Sequence, residues 1–169
     1  MTRNSTSTPT GKAGQQRRYG ARVLDDVRHD PYEPAGKFSA MRCGTCDAVY
    51  NAGRWQRSGA QALPTGTCPA CRRIADRMPA GRVKLDGPYA AQHRTELLRI
   101  AQHEAEAEGS EYPMHRIMNI EPLANAIEIT TTDVHLPRRI GEALKRAHDG
   151  KLTIAFSDDA YEIRVLWER

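Results

Sequence analysis

A chain of 169 residues, 39% hydrophobic but only 6% aromatic, excludes one large aromatic core and reads as two modest modules, one of them helped by a metal clip. No stretch approaches the ~18 consecutive apolar residues of a membrane span, and MTRNSTSTPTGKAGQQRR lacks the apolar centre of a signal peptide, so a cytoplasmic protein with no membrane association is expected. The net charge of +4 is uneven: residues 1–40 hold 7 basic against 4 acidic residues, 41–88 hold 8 against 3, and 89–169 hold 10 against 14, so a polyanionic partner is expected to meet the N-terminal half.

Residues 1–37 read as a disordered basic tail with a short docking segment. The first twenty are rich in Ser, Thr, Gly and Gln and carry Arg17 and Arg18, with too little apolar surface to offset the entropy of ordering. Val23, Leu24 and Val27 form one apolar run, which Pro31 and Pro34 end.

Residues 38–79 read as a zinc ribbon. The four cysteines form two C-x-x-C pairs, Cys43-Gly44-Thr45-Cys46 and Cys68-Pro69-Ala70-Cys71, separated by residues 47–67. A tight turn presents two sulfurs to one ion, and two such turns complete a tetrahedral shell for Zn²⁺. With no cysteine left over the shell is closed, which disfavours a catalytic zinc. Disulfides or redox dithiols are the weaker reading in a reducing compartment. An iron centre of the rubredoxin sort uses the same four thiolates and stays open as an alternative. Between the pairs, strands are predicted near Ala48–Tyr50 and Arg54–Gln56, with Gly and Pro turns before Cys68.

Arg42, Arg54, Trp55, Arg57, Arg72, Arg73 and Arg77 surround the cysteines in sequence. Guanidinium groups fit phosphates bidentately and stack on bases, so these residues are candidates for RNA contact, solvation of the ribbon being the alternative. Trp55 is read as ribbon core, with a base-stacking surface as the alternative.

Residues 80–169 read as a small α+β sheet domain of order β-α-β-β-α-β-β, helices on one face of a mainly antiparallel split β-α-β sheet. A strand RVKL (82–85) precedes a helix with Leu97, Leu98, Ala101 and Ala105 on one face and Gly109 closing it. Its Glu104, Glu106, Glu108 and Glu111 are read as a solvated face. Ile127, Ile129 and Thr131 alternate with Glu128, Thr130 and Thr132, as a half-buried strand requires. Thr132 or Asp133 caps the next helix, whose apolar stripe is Leu136, Ile140, Ala143, Leu144 and Ala147, with Pro137 in its first turn. Arg138, Arg139, Lys145 and Arg146 lie off that stripe; a charged outer face is the plain reading and phosphate contact the sharper one. The chain ends in two strands, with Leu152, Ile154 and Phe156, then Tyr161, Ile163, Val165 and Trp167, each set facing one way. The six histidines contain no i, i+4 pair and are read as structural or exposed. No phosphate-binding loop and no G-x-S-x-G is present, so no enzymatic activity and no small-molecule substrate are expected.

The segments HDPYEPAGK, CGTCDAVYNAGRW, CPACRRI, LDGPYAAQHRTELL and TTTDVHLPRRIGEAL resemble, from about residue 28 to the C-terminus, a bacterial family of uncharacterised zinc-ribbon proteins, some labelled ATPases. No residue here supports that label, and Pro137 stands where the family pattern usually has Ala. Residues 68–148 are also similar, in element order and one C-x-x-C, to the zinc-containing N-terminal region of the archaeal and eukaryotic export adaptor of the large ribosomal subunit. The resemblance implies binding to ribosomal RNA of the large subunit, in biogenesis or in protecting idle ribosomes. The alternative is a zinc-ribbon protein–protein adaptor.

Overall fold

The computed structural model describes residues 30–33, 39–57, 62–157 and 160–169. Arg17, Arg18 and the run Val23, Leu24 and Val27 lie outside them. Two sheets with few helices give a mixed α+β architecture.

The smaller sheet contains β1 (Met41–Cys43), β2 (Val49–Asn51), β3 (Arg54–Gln56) and β4 (Thr65–Gly66), in the order β3-β2-β1-β4. β2 and β3 pair antiparallel through Asn51 and Arg54. The two residues between them, Ala52 at φ 48° and Gly53 at φ 87°, make the left-handed two-residue turn whose twist suits a hairpin. β4 returns parallel to β1.

A helix that the sequence reading omitted follows, α1 (Pro69–Asp76). Cys68 caps it, its sulfur accepting the Cys71 N–H at 3.4 Å. Pro69 occupies the first turn, where its missing N–H costs nothing. Arg77 ends the helix in the left-handed region at φ 54°.

The larger sheet belongs to β5 (Gly81–Asp86), β6 (Ile117–Pro122), β7 (Ala126–Thr131), β8 (Lys151–Phe156) and β9 (Ile163–Glu168), in the order β6-β7-β5-β9-β8. Only β5 and β9 run parallel. α2 (Pro88–Gln92), α3 (Arg94–Glu111) and α4 (His135–His148) complete the module. Val83 and Leu85 of β5, Ile127 and Ile129 of β7, and Ile163, Val165 and Trp167 of β9 are buried in one core with Leu97, Ala101, Leu136, Ile140 and Leu144 of the helices. Each large side chain buried this way contributes roughly 1.5–3 kcal/mol.

Three expectations need correction. Ala147, read as part of the apolar stripe, is exposed on the last turn of α4, which ends one residue later. Gly109 is buried inside α3 instead of closing it; the helix ends at Tyr112, ahead of Pro113, which disfavours helical backbone in the residue before it. Glu108 is buried, where the reading put it on a solvated face: its carboxylate accepts from His115 Nδ1 at 2.9 Å and pairs with Arg139 Nη1 at 2.8 Å. Asp133 supplies the cap of α4, Oδ2 accepting the N–H groups of His135 (2.6 Å) and Leu136 (2.9 Å). Gly81 marks the tightest approach of helix to sheet. A Cβ there would sit 2.7 Å from Thr131 Oγ1 and 2.9 Å from the Asp133 carbonyl oxygen, under the Pro137 ring.

Candidate metal centre

Each cysteine is placed by local backbone. Cys43 closes β1; its N–H donates to the Ala48 carbonyl (2.8 Å) and its carbonyl accepts from Asp47 (3.0 Å), which turns the chain and delivers Cys46. Asp47 takes the left-handed conformation at φ 60° to do so. Cys68 and Cys71 sit on the first turn of α1, where an i, i+3 pair shares one face. The parallel pairing of Cys43 with Gly66 brings the second turn against the first.

All four sulfurs lie within 4.8 Å of one another. Cys46 Sγ and Cys68 Sγ are 3.7 Å apart. A tetrahedral ion with metal–sulfur bonds of about 2.3 Å has edges of about 3.8 Å, so the separation fits such an ion. It is far from the ~2.0 Å of a disulfide, and all four cysteines are free. Cys43, Cys46, Cys68 and Cys71 therefore form a cluster able to hold one metal ion, and it is the only such group among the described residues.

The sulfurs are prepared unequally for ionisation. Burial opposes the Cys43 thiolate, yet the N–H groups of Cys68, Thr45 and Cys46 outweigh it and bring that thiol down to about 6. Burial pushes the Cys68 and Cys71 thiols up. A metal ion must displace those protons, which ties loading of the site to pH.

The cluster has a neighbour from the other module. Arg116, just before β6, directs Nη2 at Cys46 Sγ (3.4 Å) and Cys68 Sγ (3.3 Å), and Nη1 at Cys71 Sγ (3.6 Å). Its Nε donates to the Pro113 carbonyl at 2.8 Å. Burial works against the guanidinium charge, but the surrounding sulfurs more than hold it. Sequence reading missed Arg116 because its partners lie 45 to 70 positions away; no local pattern records that contact.

The basic residues expected to face RNA divide into two groups. Arg73 is 3% exposed, stacks over Tyr32, donates to the Met78 carbonyl and pairs with Asp30; it belongs to the interior and is withdrawn from the phosphate set. Arg57 Nε donates to the Gly109 carbonyl at 3.0 Å, fastening the ribbon to α3. Arg139 pairs with Glu108 and Glu104, Arg138 with Glu142, and Arg42 with Asp47. The side chains of Arg54, Arg72, Lys145 and Arg146 are exposed and make no ion pair or hydrogen bond among the described residues. Trp55 is half-buried against the cysteine cluster and tilts on Tyr50 at 5.4 Å between ring centres. It also lines a cleft of about 340 Å³ between the modules, with Tyr112, Met114 and Asp133.

No family model matches the chain, and neither the curated proteins nor the solved structures contain a match. No helix among the described residues is long and apolar enough to cross a membrane.

Proposed function

We propose that the ion is zinc and that the chain is a cytoplasmic, non-catalytic, zinc-dependent RNA-binding protein acting on ribosomal RNA of the large subunit, in biogenesis or in protecting idle ribosomes. Four thiolates with no spare donor suit a structural zinc, since every tetrahedral position is filled by protein and none is left for water or substrate. The observation that carries the RNA reading is the set Arg54, Arg72, Lys145 and Arg146, exposed and without an ion pair among the described residues, in a molecule that occupies so many of its other cations internally. Free cations on a folded surface gain most from phosphate, by releasing condensed counterions. The ribosomal target comes from the sequence resemblance.

The test is sedimentation of cell extract through sucrose at low salt. Co-migration with large subunits or whole ribosomes, abolished by nuclease or by about 0.5 M salt, is the expected result. Protein that stays at the top of the gradient under those conditions contradicts the reading. A protein–protein adaptor is the second reading, favoured by Ile74 and Met78, two apolar side chains of α1 and its exit that are 40% and 56% exposed. Partner association that survives nuclease treatment would select it.

A further inference from the structure

The tetrathiolate cluster and the larger sheet meet at one side chain. Four thiolates around a divalent ion carry a net charge of −2, and in a half-buried site that charge needs a partner. Among the described residues no cationic side chain of the ribbon is recorded against the sulfurs: Arg42 is turned to Asp47, Arg73 to Asp30 and Arg57 to Gly109. Arg116 supplies the partner from outside the ribbon, its two terminal nitrogens spanning the face made by the sulfurs of Cys46, Cys68 and Cys71. Its nitrogens stand 3.3 to 3.6 Å from those sulfurs, whereas a group occupying the metal position would lie at about 2.3 Å. The guanidinium is therefore outside the tetrahedron and leaves room for the ion.

Everything behind the guanidinium holds it there. The Pro113 carbonyl takes Nε (2.8 Å). The Arg116 N–H donates to Thr132 Oγ1 (2.9 Å), the Arg116 carbonyl accepts the Thr132 N–H (2.9 Å), and Thr132 Oγ1 donates to the Met114 carbonyl (2.5 Å). Thr132 in turn immediately precedes Asp133, the cap of α4. A planar fork fixed in this way loses little entropy on meeting three acceptors.

We propose that Arg116 is an outer ligand of the metal centre, a positioning residue that lets one ion serve both modules: it sets how firmly the metal is held and joins the ribbon to the sheet at the sulfurs. This inference is independent of the RNA reading, and its readouts are made without nucleic acid.

Four purified full-length proteins test it: wild type, Arg116→Lys, Arg116→Gln and Arg116→Met. Zinc transfer to a colorimetric chelator gives the affinity, and the thiolate-to-metal charge-transfer band of the cobalt-substituted protein reports the sulfur environment. Outer-shell partners commonly change metal affinity by about 10- to 100-fold, so Gln and Met should lose that much and shift the band, with Lys in between because it keeps the charge without the fork. Wild-type affinity and an unmoved band in Arg116→Met overturn the proposal. So does equal weakening of all three variants with an unmoved band, the signature of a merely structural side chain. Should the neutral variants fail to fold, the wild type loaded with cadmium decides: scalar coupling between the metal and the Arg116 guanidinium protons is expected, and its absence overturns the proposal.

Discussion

Replacing the basic residues one at a time separates those committed inside the fold from those left for a polyanion. Among the described residues Arg54, Arg72, Lys145 and Arg146 have no ion pair, whereas Arg57, Arg73 and Arg139 are spent on Gly109, Asp30 and Glu108. If each of the four free cations meets one phosphate, log affinity for RNA should fall with log salt at a slope of about −3, taking roughly 0.7 to 0.9 per contact. A fourfold rise in salt then weakens binding about sixtyfold. Changing any one of the four to Ala should flatten the slope by about 0.7 to 0.9, because one fewer counterion is released. Arg73→Met should leave the slope unchanged and lower stability instead, since it strands the Asp30 carboxylate against Tyr32 and Tyr161. The assay is fluorescence anisotropy on a fragment of large-subunit RNA at several salt concentrations, with melting temperature measured in parallel. A slope near zero for the wild type, or an Arg73 variant that flattens it as much as the Arg72 variant, would refute the reasoning.

Chelation should melt the ribbon and spare the sheet. The ribbon's own buried apolar residues, besides cysteines, are Ala48, Val49 and Ala70, which contribute about 0.8 kcal/mol for each alanine methyl and roughly 1.5–3 kcal/mol for the valine, against apparent metal binding of about 10–16 kcal/mol; Trp55 emission should shift to the red while the buried Trp167 stays blue, and unchanged emission from Trp55 would count against a metal-held ribbon. Gly81→Ala should lower the melting temperature. Its Cβ overpacks Thr131 and Pro137 at about 1–3 kcal/mol, more than the roughly 0.4–1 kcal/mol gained by stiffening the unfolded chain, so an unchanged or raised melting temperature would show that α4 yields there. Asp133→Asn tests a buried carboxyl. Burial holds the Asp133 carboxyl above its usual range, and Oδ1 has no hydrogen-bond partner among the described residues, so the folded state binds its proton more tightly than the unfolded chain, and this residue's contribution to stability falls as pH rises from the ordinary carboxylate range through the raised value. Asn keeps the cap and carries no charge, so the variant should gain on the wild type as pH rises above the ordinary carboxylate range; a difference that does not change with pH there would contradict the assignment.

The metal cluster was legible because its information is local. Two C-x-x-C turns bring two sulfurs together each, and four sulfurs with no fifth leave one way to fill a tetrahedron. The α4 stripe was legible for the same kind of reason: Leu136, Ile140 and Leu144 repeat at the helical period and all are fully buried. Where a residue's fate depended on partners distant in sequence, the text gave no sign. Arg73 carries the same side chain as Arg72, yet one is buried against Asp30 and the other is exposed, a difference set by the 43 residues separating Arg73 from its partner. Glu108 sits among four glutamates that look alike in sequence, and its burial against His115 singles it out, since Arg139 reaches Glu104 as well. α1 escaped notice because its start signal is a cysteine already assigned to the metal: Cys68 both ligates and caps.

Native mass spectrometry of the purified full-length protein measures the central claim directly. One zinc ion per chain in the low-charge, compact state, lost together with compactness on acidification or when any of Cys43, Cys46, Cys68 or Cys71 is changed to Ser, is the result this account requires. A compact chain that carries no metal, or one whose mass is four hydrogens lighter from two disulfides, would contradict it.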